Sequence, residues 1–168
     1  GLLHKTTDGG STWENVTPKK LPECIINSID ISSHNPNKVI ITFLRYKLND
    51  YQAYIYVSDN GGKDWDLRNE GFDEDEYVRV VREDPKRENL LYAGSERGLY
   101  LSYDAGKKWE RYPFNLPSMP INDLTFRNND LVLATSGRGF WILDDLSSFQ
   151  QIDRSRERAS FQLFTPKN

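Results

Sequence analysis

The chain has 168 residues, with 22 Lys and Arg against 25 Asp and Glu for a net charge of −3, and 37% of it is hydrophobic. That composition suits one globular domain or part of one. It offers no apolar run near the roughly 18 residues of a membrane-spanning helix, no basic stripe to neutralise phosphates, and one cysteine, Cys24, which excludes an internal disulfide.

Residues 1–17 read as two short strands joined by Thr6-Thr7-Asp8-Gly9-Gly10-Ser11-Thr12-Trp13. The sequence starts inside this strand pair without a Met, so a piece of a longer protein is expected. After the connector at residues 18–23, a unit at 25–70 follows. It holds a Pro/Asn turn at Ser33-His34-Asn35-Pro36-Asn37, then Val39-Ile40-Ile41-Thr42-Phe43-Leu44, apolar without alternation as a strand covered on both faces should be. A long loop at 45–52 precedes Ser58-Asp59-Asn60-Gly61-Gly62-Lys63-Asp64-Trp65. The next unit, 76–113, reads as four strands at 77–82, 89–94, 98–103 and 108–112, the last two joined by Ser102-Tyr103-Asp104-Ala105-Gly106-Lys107-Lys108-Trp109. Residues 121–149 form a further unit, in which 131–142 repeat the pattern of 90–101 and Asp145 is kept while the Gly and Trp are lost. Residues 150–168 change character, with a charged run at 153–158, and read as an exit linker into which a short helix would fit.

One template thus recurs three times: a hydroxyl residue, Asp or Asn two later, Gly four later and Trp seven later. Its members are Thr6, Asp8, Gly10 and Trp13; Ser58, Asn60, Gly62 and Trp65; and Ser102, Asp104, Gly106 and Trp109. Hydroxyl and carboxamide oxygens close a turn locally, Gly supplies a positive φ, and the indole buries a large ring. The template is therefore read as structural. Four short strands repeated every 40 to 50 residues make a β-propeller blade. The fold expected is all-β: a propeller arc of about three and a half four-stranded antiparallel blades, with a partial blade at 1–17 and blades at 25–70, 76–113 and 121–149. Propellers close with four to eight blades, so the partners expected are the remaining blades of the parent chain or a second copy.

The template resembles the Asp-box, or BNR repeat, of sialidases, xyloglucanases, sortilin-like receptors and photosystem assembly factors. The stretch Thr135-Ser136-Gly137-Arg138-Gly139-Phe140-Trp141-Ile142-Leu143-Asp144-Asp145-Leu146 is similar to the last blade of bacterial sortilin-like proteins labelled glycosyl hydrolases. The resemblance implies a scaffold or binding module for protein or glycan within a longer exported protein, extracellular or periplasmic. The alternative it carries is a portion of a glycoside hydrolase.

Ligand chemistry is expected on the face opposite the repeated turns, where loops from several blades converge. The acidic connector there contains Asp73, Asp75 and Glu76, candidates for the two carboxylates a glycosidase holds about 5 to 9.5 Å apart, or simply a solvated loop. Arg97 and Arg138 occupy equivalent places in successive units and could clamp a carboxylate or brace neighbouring blades. Arg45, Tyr46 and Tyr51 give the long loop the aromatic and polar mixture of sugar- or peptide-binding loops. His4 and His34, the only histidines, lie in separate units without clustered ligands, so no metal, cofactor or Ser-His-Asp triad is expected.

Overall fold

A computed structural model describes residues 1–112, 115–152 and 163–165. A two-stranded hairpin, β1 (His4–Lys5) and β2 (Glu14–Asn15), comes first. The first blade follows as β3 (Ile25–Ile31), β4 (Val39–Leu44), β5 (Ile55–Ser58) and β6 (Asp66–Leu67), and the second as β7 (Val78–Glu83), β8 (Leu91–Ser95), β9 (Leu99–Ser102) and β10 (Glu110–Arg111). Both are antiparallel meanders with neighbours in chain order. The third blade has β11 (Ile121–Arg127), β12 (Asp130–Thr135) and β13 (Phe140–Leu143). Where a unit of four would place another strand, the chain turns through Asp145 into a short helix, α1 (Ser147–Gln151). The exit linker expected at 150–168 lies mostly outside the described residues.

The arrangement is an arc of a β-propeller, with sheets stacked face to face. Strand β4 packs on β7, and β7 on β11. Central strands are buried on both faces, which is why β4 and β8 lack the alternation of a half-exposed strand: Ile40, Ile41, Phe43, Leu91, Tyr92 and Ala93 are each at most 1% exposed. Between the first two blades lies a core of Ile40, Ile55, Val57, Val78, Val81 and Leu91, and between the second and third one of Val80, Leu90, Tyr92, Leu101, Ile121 and Leu124. Polar groups also cross the first seam. Lys38 and Glu83, 3% and 6% exposed, join across it at 2.8 Å, and Lys38 Nζ further donates to Asn89 Oδ1 at 2.7 Å. Arg82 donates to Ser28 Oγ (2.6 Å) and Asp123 Oδ1 (3.3 Å), touching the blades on both its sides.

The three repeated turns share one hydrogen-bond scheme. In each the leading hydroxyl accepts from the amide four residues on, at 2.9 Å from Gly10, 2.8 Å from Gly62 and 2.8 Å from Gly106. The Asp or Asn Oδ1 accepts from that hydroxyl and from the amide four residues further, so Asn60 serves as well as Asp8 or Asp104. Gly62 sits at φ +90°, and a Cβ there would lie 2.8 Å from the Val16 Cβ. The closing indoles differ in surroundings. Trp65 Nε1 donates to Val16 O of the preceding hairpin (2.8 Å) and Trp109 Nε1 to Arg68 O of the preceding blade (3.1 Å). Trp13, with no earlier unit among these residues to lean on, folds back onto Gly10 O and is 62% exposed, against 1% for Trp109.

The second and third of these turns, and the segment after β13, are tied to the β3–β4, β7–β8 and β11–β12 turns at the same end. Gly61 N donates to Asn37 O, Ala105 N to Asn89 O and Leu146 N to Asn129 O. The 45–54, 95–98 and 135–139 loops and the connectors between blades share the opposite end, linked by Glu96 N to Tyr77 O, Ser136 N to Pro120 O and Arg45 Nε to Glu23 O.

Candidate functional site

The loop end of the first two blades carries an open cleft of about 620 Å³. One wall is the 45–54 loop, which leaves β4, makes a 3-10 turn over Tyr46–Leu48 and reverses at Asn49, whose φ of +59° is left-handed. The other is the connector from the first blade to the second, from Asn69 to Asp75. Gly71 sets the path of this connector. At φ +103° it passes so close to the second blade that a Cβ would lie 2.0 Å from Trp109 O, while Trp109 N donates to Glu70 O at 2.8 Å. Asn69 Nδ2 pins the start of the connector to Ala53 O (3.1 Å), and Phe72 packs against Tyr100 with ring centroids 4.4 Å apart. Asp73, Glu74 and Asp75 then face the same cleft as Asn49, Asp50, Tyr51 and Gln52.

Arg45 closes the long loop from within. Its NH1 pairs with Asp50 Oδ2 and reaches Tyr54 OH (3.3 Å), and Tyr54 OH donates to the same carboxylate (2.8 Å). Tyr46 stacks on Tyr77 at 5.6 Å and Tyr51 tilts towards it at 6.2 Å. Tyr77 in turn lies beneath the Arg79 guanidinium, 5.2 Å from its ring centre, and Arg79 bonds Glu96 at 2.7 Å. Burial, with Glu96 adding to it, pushes the Tyr77 phenol up to about 12. The result is a continuous run of aromatic and charged side chains from the first blade onto the second, with Tyr77 buried within it.

Of the three carboxylates singled out in the sequence, Asp73 and Asp75 line the cleft, whereas Glu76 is wholly buried. Glu76 Oε1 accepts from Ser95 Oγ and from Arg97 N (2.9 Å), and its Oε2 lies 3.7 Å from Arg97 Nε. That carboxylate ties the connector to the β8–β9 loop. Arg97, about half exposed, is engaged by it, and Arg97 O accepts from Arg111 NH2 at 3.0 Å. Arg138 stands exposed in the equivalent loop of the third blade, between Gly137 and Gly139, both with φ positive, and makes no ion pair among the described residues. No contact joins Arg97 to Arg138 among those residues. Asn69 and Phe72 line the cleft, and Tyr77 and Arg79 support it from behind, without having been marked by the sequence. They stand outside the repeated turns, and only the fold brings Tyr77 next to Tyr46 and Tyr51. No group of three or more His, Cys, Asp or Glu with metal-binding geometry occurs among the described residues.

No family model matches the chain, and no curated protein does. Among solved structures, YCF48 bound to a D1 peptide is similar over 84% of this chain and 44% of its own, with 17% identity and a TM-score of 0.59. The GH74 enzyme of Niastella koreensis matches 71% of the chain and 21% of its own length at 13% identity and TM-score 0.55. The GH74 xyloglucanase of Xanthomonas campestris matches 68% and 20%, at 13% identity and 0.53. The chain therefore spans less than half the length of each, and at such identities the likeness is one of β-propeller fold.

Proposed function

We propose that the chain is a non-catalytic binding segment of a larger Asp-box propeller, exported from the cell, whose loop end receives an extended polypeptide carrying a basic side chain. The observation that carries this reading is the cleft itself, where aromatic rings and amides meet the carboxylates Asp73, Glu74 and Asp75. An aromatic wall beside acidic groups suits a Lys or Arg side chain, through charge and through contact of its stem with the rings. Sequestration of Glu76 by Ser95 and Arg97 supports binding over hydrolysis, because it withdraws one of the candidate acid/base carboxylates from any substrate. The peptide-bound state of YCF48 supports a polypeptide over a sugar, by analogy of fold.

The test is calorimetric titration of the chain with a lysine-bearing peptide and, separately, with a xyloglucan oligosaccharide, alongside a hydrolysis assay on the polysaccharide. Peptide binding should weaken about tenfold in Tyr51→Ala and in Asp73→Asn, with the melting temperature unchanged, as the loss of one good contact predicts. Cleavage of the polysaccharide that disappears in Asp73→Asn or Asp75→Asn would replace this reading with the hydrolase one. Peptide binding indifferent to both variants would remove the cleft from consideration.

A further inference from the structure

The second repeated turn differs from the other two at its centre. It joins Asn to Gly, at Asn60-Gly61, where the first has Asp8-Gly9 and the third Asp104-Ala105, and no other Asn-Gly pair occurs in the sequence. An Asn followed by Gly is the pair most prone to lose its side-chain amide, because the next backbone nitrogen meets no side chain on its way to Cγ. In the folded chain both reacting groups are occupied. Gly61 N, the attacking atom, donates to Asn37 O at 2.7 Å. The Asn60 carboxamide is held on both sides: Oδ1 accepts from Ser58 Oγ at 3.0 Å and from Asp64 N at 2.9 Å, and Nδ2 donates to Asp64 Oδ2 at 2.9 Å.

The last of these bonds explains why an amide stands there. In the first turn the place of Asp64 is taken by Thr12, whose hydroxyl donates to Asp8 Oδ2 at 2.6 Å, and in the third by Lys108. A carboxylate at the centre of the turn thus stands opposite a hydroxyl or a cation, whereas Asp64 stands opposite an amide. Conversion of Asn60 to Asp removes the donor and sets two acceptor-only carboxylates across the same gap, where they repel. The turn they share ends in Trp65, whose Nε1 donates to Val16 O and fastens the N-terminal hairpin to the first blade.

We propose that Asn60 is a deamidation site kept silent by its own turn, and that its conversion is a one-way mark that unfastens the turn and loosens the first blade's hold on the hairpin at residues 1–17. The chemistry needs water alone. The Gly61 nitrogen, having lost its proton, bonds to Asn60 Cγ as the Cγ–Nδ2 bond breaks and ammonia leaves with a proton from solvent. Water then adds to the cyclic imide and opens it at either carbonyl, to Asp or to the isomer whose backbone runs through the β-carboxyl. Opening of the turn sets the rate. The test follows conversion of Asn60 by peptide mass mapping of the chain held in mildly alkaline buffer, with and without denaturing urea. The folded chain should convert about tenfold more slowly than the unfolded one, or slower still. Asp64→Ala, which frees Nδ2, should convert faster than the parent when folded and at the parent's rate in urea. Asn60→Asp, the product, should melt below the parent, lose amide-exchange protection at positions 62 and 64, and regain part of it when combined with Asp64→Asn. Equal rates for the parent in the two states, an Asp64→Ala chain that converts no faster when folded, or parent-like protection in Asn60→Asp would each overturn the proposal. The first comparison uses the unaltered chain, so it holds irrespective of how a variant folds.

Discussion

Replacing Lys38 by Met should destabilise the fold out of proportion to the size of the change. Lys38 Nζ lies within 2.8 Å of Glu83 Oε1 and 2.7 Å of Asn89 Oδ1 on the seam between the first two blades, and both ionised residues are nearly inaccessible. Removing one partner of a buried pair strands the other charge and costs about 3 to 5 kcal/mol. The Asn89 amide still donates to Glu83 Oε1 at 2.8 Å, which argues for the lower end, about 3 kcal/mol. For a chain of this length that lowers the melting temperature by roughly 6 to 12 °C. Glu83→Gln keeps an oxygen for the Asn89 amide and should cost about 2 kcal/mol, and the double variant about the same as Lys38→Met alone or less, leaving a coupling near 2 kcal/mol. Acidity supplies an independent sign. Burial alone would raise the Glu83 carboxyl, but hydrogen bonds from Lys38, Ser32 and the Asn89 amide outweigh it and hold the group below the usual carboxylate range. A folded value below the unfolded one means this contribution is fully present above the unfolded value and is lost as pH falls through the folded one. The gap between parent and Lys38→Met, read by urea denaturation, should therefore be widest near neutrality and narrow in acid. A loss below about 1 kcal/mol at neutral pH, or strictly additive single variants, would refute the reasoning.

Gly71→Ala should cost more than about 2 kcal/mol, because the new methyl would meet Trp109 O on top of an unfavourable φ. Gly9→Ala, also at positive φ but with nothing within 4 Å, should cost only about 1 kcal/mol, and equal losses in denaturant melts would contradict the contact geometry. The Asp8 carboxyl is lowered to about 2, first by the Thr12 hydroxyl and amide and then by Thr6. Its contribution to stability is present above the unfolded value of 3.8 and vanishes as pH drops through about 2. Thr12→Ala should shift the Asp8 titration upward by NMR, and an unmoved titration would show that the turn bonds do not govern it.

The repeated turns were legible because their chemistry is local. Ser58 acts on Gly62, and Asn60 on Asp64, within one tight reversal, so a fixed spacing of residue types suffices to announce them. The bifacial burial of Val39–Leu44 was legible for a similar reason, as unbroken apolar character in a strand-length run. The seams were not. Lys38 and Glu83 stand 45 residues apart, and nothing in either neighbourhood marks one as the partner of the other until the blades stack. The same limit applies at the cleft. Arg45 looked available to a ligand but closes its own loop on Asp50, Tyr77 joins Tyr46 and Tyr51 only through stacking, and Glu76, one member of a four-residue acidic run, is drawn inward by Ser95 and Arg97. A run of like charges does not reveal which member the backbone will turn away from water.

The backward reach of Trp65 and Trp109 gives assembly a direction. Each indole comes to rest on a carbonyl that left the ribosome some 40 to 50 residues earlier, so a blade finds its footing already made when its last strand emerges. Folding can then keep pace with synthesis, with no unit waiting on sequence still to be translated for its tryptophan to be housed. The damage done by truncation is correspondingly lopsided: trimming from the C-terminus leaves earlier indoles sheltered, whereas trimming from the N-terminus evicts the next one in line.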